Sequence, residues 1–114
     1  MDVVITAMGA GLGAWVDDAF STAGHVVTVH SSGRFSAFPN PRPEEISGVA
    51  LAEFLVKTVQ PGDILVTGTI GREALDVLLS HGVKVYAVAT GSVMELADSA
   101  TRGELPLAIP QTGI

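Results

Sequence analysis

Ile64-Leu65-Val66-Thr67-Gly68-Thr69-Ile70-Gly71-Arg72-Glu73-Ala74-Leu75 passes from an apolar, strand-like run, through a turn with two glycines, straight into a helical pattern. From Arg72 to His81 the residues Ala74, Leu75, Leu78 and Leu79 recur at helical spacing, and Gly82 ends the pattern. Two more runs end the same way. Val83 to Ala89 runs into Thr90-Gly91-Ser92, where Ser92 and Glu95 match a capping box that opens a helix stopping at Gly103. Val3-Val4-Ile5-Thr6-Ala7-Met8 runs into Gly9-Ala10-Gly11-Leu12-Gly13. This rhythm predicts parallel strands whose C-terminal ends lie side by side. Such ends form the ligand crevice of an open α/β sheet. Helix N-termini turned toward it favour anions, because their N–H groups and dipole face the ligand.

The rest of the chain completes an α/β domain. Strand one starts near Asp2, His25 to His30 is strand two, Ser31-Ser32-Gly33 is a tight turn, and Arg34 to Phe38 is strand three. Pro39-Asn40-Pro41-Arg42-Pro43 is a connector. A helix starts between Glu44 and Ser47 and ends near Gln60, with Gly48, Leu51, Ala52, Leu55 and Val59 on one face. Asp63 to Thr67 is strand four. Val16 to Ala23 fits neither period and reads as an irregular turn. The expectation is a five-stranded mixed sheet of order 3-2-1-4-5, only strand two antiparallel, with three helices over its two faces. The winding reverses between strands one and four, so the crevice should open there. Residues 1–103 form the domain and 104–114 a tail. In that tail Leu105, Leu107 and Ile109 alternate with prolines and alanine. Leu105 to Pro110 should pack as an edge segment on the domain or on a second copy, leaving Gln111 to Ile114 loosely held.

Composition narrows the function. The net charge of −6 and only 6 Lys and Arg argue against nucleic acid or an anionic membrane surface as partner. Cysteine is absent, which excludes disulfides, thiolate metal sites and cysteine nucleophiles. Neither a signal-like segment nor a run of membrane-spanning length is present, so a cytoplasmic protein is expected.

Val66 to Leu75, then His81-Gly82-Val83-Lys84-Val85-Tyr86, then Gly91-Ser92-Val93, resemble the dinitrogenase iron-molybdenum cofactor biosynthesis family. That family has a strand ending in T-G-x-I-G-x-x-A, a helix, then G-[IV]-K-V-Y. Val16-Asp17-Asp18-Ala19-Phe20 is similar to its V/L-[SD]-x-x-F-G segment, and Asn40-Pro41 falls at its E-N-P. The resemblance spans Met1 to Gly103. It implies a three-layer ribonuclease-H-like motif, and a domain that binds or carries molybdenum-containing metal–sulfur clusters or their precursors, iron- or copper-containing. Some members hold a molybdenum–copper sulfide cluster without covalent attachment. Two positions depart: Ala19 stands where the family often has a His proposed as a cluster ligand, and Ser21 where it has Gly.

The candidate cluster-binding residues are Gly9, Ala10, Gly11, Gly13, Gly68, Thr69, Ile70, Gly71, Arg72, Thr90, Gly91 and Ser92. Glycine there lets backbone approach a ligand, or serves only helix–sheet packing. Arg72 is the cation beside the turns, or a solvated first-turn residue. Met8 is a soft thioether at the crevice, or core filler. His25 is a second candidate metal ligand; it and His30 face opposite sides of strand two and cannot chelate one metal together. Trp15 either lids a ligand or packs on the segment after it. Gly9 to Gly13 lacks the spacing of a dinucleotide fingerprint. Strands one, four and five end in Met8, Thr67 and Ala89, not in the carboxylates a two-metal nuclease requires. Ser21, Ser92 and His25 form no nucleophile arrangement. The expected function is non-catalytic binding, carrying or storing of an anionic molybdenum-containing cluster, with a protein partner in delivery and a homodimer both open. The alternative is an interaction or regulatory domain of the same fold without a cluster.

Overall fold

All five residues of β1 (Val3–Ala7) are buried, as a strand covered on both faces must be. The computed structural model, which describes residues 1–105 and 109–111, sets that strand inside a single sheet. The remaining elements are β2 (His25–Val29), β3 (Phe35–Pro39), α1 (Val49–Leu55), β4 (Ile64–Val66), α2 (Arg72–Ser80), β5 (Lys84–Ala87), α3 (Val93–Thr101) and β6 (Ile109–Gln111). The sheet order is β3-β2-β1-β4-β5-β6. β1, β4 and β5 pair in parallel, with Val3 beside Ile64 and Ile64 beside Lys84. β2 runs antiparallel between β1 and β3.

Strand alternation sorts the core into two halves. Val4, Val26, Leu65 and Val85 face α1 and α2, meeting Leu51, Leu55, Leu75 and Leu78, with Phe20 closing that half. Val3, Ile5, Val27 and Val66 face α3, meeting Val93, Leu96, Ala97 and Ala100. Three of the buried polar residues are held as follows. The Thr6 and Thr67 hydroxyls lie 2.5 Å apart and satisfy each other. Asn40 donates from Nδ2 to the Ser21 and Ala23 carbonyls, both at 3.0 Å, and its Oδ1 accepts from Arg42 N–H. It fastens the connector after β3 to the segment after β1.

The expectations need four corrections. The sheet has six strands, because Ile109–Gln111 adds antiparallel to β5. Gln111 pairs with Val85 and is therefore in a strand. Leu105 packs against the α3 half of the core, while Leu107 and 112–114 lie outside the described residues. Helix α1 begins later and ends sooner than the periodicity indicates. Gly48, at φ 76°, turns the chain into it, in a space where a Cβ would meet Phe20 at 3.0 Å and Ala74 at 3.3 Å. Glu45 then holds its first turn by accepting from Ala50 N–H at 2.9 Å. Pro39, assigned to the connector, ends β3, which tolerates it because β3 is an edge.

Candidate functional site

The segment read as an irregular turn decides the shape of the crevice. Leaving β1, the chain loops through Gly9 to Gly13 and comes back across the strand ends. Val16 bridges Ala7, Trp15 bridges Ser92, and Ala19 bridges Thr69. Met8 N–H donates to Trp15 O and Asp17 N–H to Thr6 O, both at 2.9 Å, and Val16 N–H to Gly91 O at 3.0 Å. Asp18 O accepts from Thr69 N–H at 2.7 Å, and Phe20 N–H donates to Thr69 O at 2.8 Å. The opening expected between strands one and four is thus filled by the chain's own backbone. Gly68 shows why that position is glycine. A Cβ there would lie 2.2 Å from Asp18 O and 2.4 Å from Asp17 O.

All three glycine-bearing turns lie on this one edge, joined by the crossing segment. Their N–H groups differ. At the start of α3, Val93 N–H donates to Ala14 O at 2.8 Å, Met94 N–H to Leu12 O at 2.9 Å, and Glu95 N–H to Ser92 Oγ at 3.3 Å. Only half of the predicted capping box forms: Ser92 Oγ accepts from Glu95 N–H, but Glu95 Oε1 accepts from Ser92 Oγ at 2.9 Å in place of the Ser92 N–H; this helix end is already occupied by protein. The N–H groups of Val93, Met94 and Glu95 are therefore already used within the protein. At the start of α2, N-cap Gly71 has no side chain to cap with. Among the described residues, the N–H groups of Ile70, Gly71, Glu73 and Ala74 donate to no protein acceptor. Gly71, exposed and extended, and Glu73, exposed, leave theirs open, whereas Ala74 is buried. Arg72 is exposed, and its Nε contacts Asp76 Oδ1 at 3.1 Å, one turn along the helix.

The same sheet edge carries exposed apolar groups: Met8 at 53%, Trp15 at 51% and Val88 at 49%. Trp15 is thus held by its backbone and not packed into the core. Ala10, Gly11 and Gly13 are exposed, and a Cβ at Gly11 or Gly13 would meet nothing within 4 Å. Val88 has φ 59°, a conformation rare for a β-branched residue. It is held there by Val88 N–H to Gly68 O at 2.9 Å and Ala89 N–H to Thr67 O at 3.0 Å. Strain of this kind gathers at ligand sites. Sequence reasoning missed Val88, since nothing in a valine signals a left-handed backbone. His25 sits opposite Ala7, on the α3 side of the sheet. Its Nδ1 is buried and has no hydrogen-bond partner among the described residues.

The Asp17 carboxylate has a structural duty here. Asp17 accepts from Asp18 N–H at 2.8 Å and Gly24 N–H at 3.1 Å. Among the described residues no three His, Asp or Glu side chains gather as a metal site. Open N–H groups and exposed apolar surface suit a group held by hydrogen bonds and contact, not one held by a full set of side-chain ligands.

The dinitrogenase iron-molybdenum cofactor family profile matches residues 1–103. The fold is similar to the apo orange protein from Desulfovibrio gigas, at 26% identity and TM-score 0.77, over 97% of this chain and 96% of that one. It is also similar to a putative NifB protein from Thermotoga, at 28% identity and TM-score 0.73, over 98% of each chain. No curated protein matches the sequence.

Proposed function

The chain belongs to the dinitrogenase iron-molybdenum cofactor family, and on that footing we propose that it binds, and carries or stores, an anionic molybdenum-containing metal–sulfur cluster or its precursor, without catalysing a reaction on it. The observation that carries this reading is the open start of α2. Ile70, Gly71 and Glu73 present N–H groups that no acceptor among the described residues takes, at the positive end of a helix dipole. A sulfide-rich anion accepts such hydrogen bonds without any covalent ligand. Met8, Trp15 and Val88 supply apolar surface for a polarisable cluster, and Met8 a soft donor. Ala19, at the family's His position, contributes only backbone, through its bridge to Thr69.

A second reading, a docking domain without a cluster, is favoured by the same exposed Met8, Trp15 and Val88. Reconstitution separates the two. Protein mixed with tetrathiomolybdate and a copper salt should keep a visible charge-transfer absorption after desalting. Gly71→Asp should lose at least about tenfold in affinity. The new carboxylate would cap α2 itself and repel the anion. The nearest atom to a Cβ there is Ser47 O at 3.7 Å, and Asp is a favoured N-cap, so the fold should be retained. A colourless wild type would favour docking, and unchanged loading of the variant would remove the α2 end from the site.

A further inference from the structure

The opposite end of the sheet holds a second group of polar side chains. Asp2 precedes β1, His30 follows β2 and Ser36 lies in β3. All three line one cavity of about 200 Å³, on the face that α1 covers, with Val4, Phe38 and Val59 as its apolar wall. His30 Nδ1 lies 3.0 Å from Asp2 Oδ2, and His30 Nε2 lies 3.5 Å from Ser36 Oγ. An ionised carboxylate only accepts, so Nδ1 carries the proton. In that tautomer Nε2 presents its lone pair to the Ser36 hydroxyl. Carboxylate to imidazole to hydroxyl is the order of contacts that activates a serine for acyl transfer, and the second contact is commonly long before substrate binds.

The edge strand adds a donor. His30 N–H donates to Arg34 O at 2.8 Å, so Thr28 and Ser36 form the next bonded pair, and the Phe35 and Ala37 N–H groups face the open edge. The residue after Ser36 thus offers an open N–H, the position from which some serine hydrolases draw one oxyanion donor. We propose that Ser36, His30 and Asp2 form a weak hydrolytic site for small uncharged esters, independent of the cluster edge. The cavity admits a short acyl group. Asp2 and Asp63, both in its lining, disfavour esters that carry a carboxylate. Ser36 Oγ bonds to the carbonyl carbon while His30 Nε2 takes its proton. The ester C–O bond breaks and His30 returns that proton to the leaving alcohol. Water, deprotonated by His30, then bonds to the acyl carbon and frees Ser36 with its hydroxyl restored. One ester and one water give one acid and one alcohol, with no change of oxidation state.

The test uses the full chain and p-nitrophenyl acetate. Release of p-nitrophenolate should exceed that of free imidazole at equal concentration. Ser36→Ala should reduce it on the order of 100-fold. Asp2 acts through His30 as a positioning residue, so Asp2→Asn should lower kcat and leave KM nearly unchanged. A fluorophosphonate probe should modify Ser36 in mass spectra. Ser36 is exposed, so its alanine variant should melt like wild type and load the metal–sulfur cluster normally; failure here leaves the cluster reading intact. Turnover no better than imidazole, a Ser36→Ala rate equal to wild type, or an adduct absent from Ser36 would each overturn the proposal.

Discussion

Gly68→Ala asks whether that glycine exists for a ligand or for the chain itself. An added Cβ would sit 2.2 Å from Asp18 O and 2.4 Å from Asp17 O, both backbone atoms. Reaching ordinary contact means moving the crossing segment by about 1 Å. Three hydrogen bonds depend on its place: Thr69 N–H and Thr69 Oγ1 to Asp18 O, at 2.7 and 3.0 Å, and Phe20 N–H to Thr69 O at 2.8 Å. At about 1 kcal/mol each, their loss costs about 3 kcal/mol. Phe20, 1% exposed, would shift with them and add to the loss. For a domain of this size that lowers Tm by roughly 12 °C. Urea unfolding should show the midpoint falling with the slope unchanged. Gly13→Ala is the control; its Cβ meets nothing within 4 Å, and it should stay within about 0.5 kcal/mol of wild type. If Gly68→Ala costs less than about 1 kcal/mol, the steric account is wrong. A stable variant that no longer loads cluster would return this glycine to the binding site.

Other perturbations probe separate parts. Thr6→Val alone leaves the buried Thr67 hydroxyl unpaired and should cost about 1–3 kcal/mol, while the double change with Thr67→Val should cost less than the sum of the singles in a double-mutant cycle. Ala50 N–H first, then the Ser47 hydroxyl, hold the Glu45 carboxyl below its ordinary value of 4.5. Its contribution is therefore present above that value and is lost as pH falls through the depressed one; Glu45→Gln should flatten the acid limb of a Tm-against-pH curve. Removing everything after Gly103 takes away β6 and the packing of Leu105 and should destabilise by about 1–2 kcal/mol, read by calorimetry; an unchanged Tm would show the added strand to be dispensable.

The strand order through β5 was legible because its signals are local: apolar runs, glycine at their ends, and a hairpin turn before the first crossover. β6 was half legible, as an edge-compatible tail whose partner strand no pattern specified. What escaped was contact between distant segments. Val16 to Phe20 has no period because it is not a strand of the sheet's rhythm; its pairings go to residues near 7, 69 and 92. The glycines of the turns were visible, yet their purpose was not. Gly68 makes room for backbone, Gly71 leaves N–H groups open, and Gly91 passes its carbonyl to Val16 N–H. The Asp2–His30–Ser36 contact was equally hidden, since one member precedes a strand and another follows its partner. Only the antiparallel register brings them together.

The crossing segment also orders events in time. The β2–β3 hairpin closes over a short turn, whereas β1 cannot pair with β4 until about sixty residues have been gathered between them. Trp15 to Phe20 needs more still, because its partners at Thr69 and Ser92 exist only once both later crossovers have docked. The edge proposed to receive the ligand is therefore the last part to assemble and the first to open. Substitutions there should leave the refolding rate nearly unchanged and appear as faster unfolding. A bound cluster, by bracing that segment, would lengthen the lifetime of the native state more than it hastens its formation.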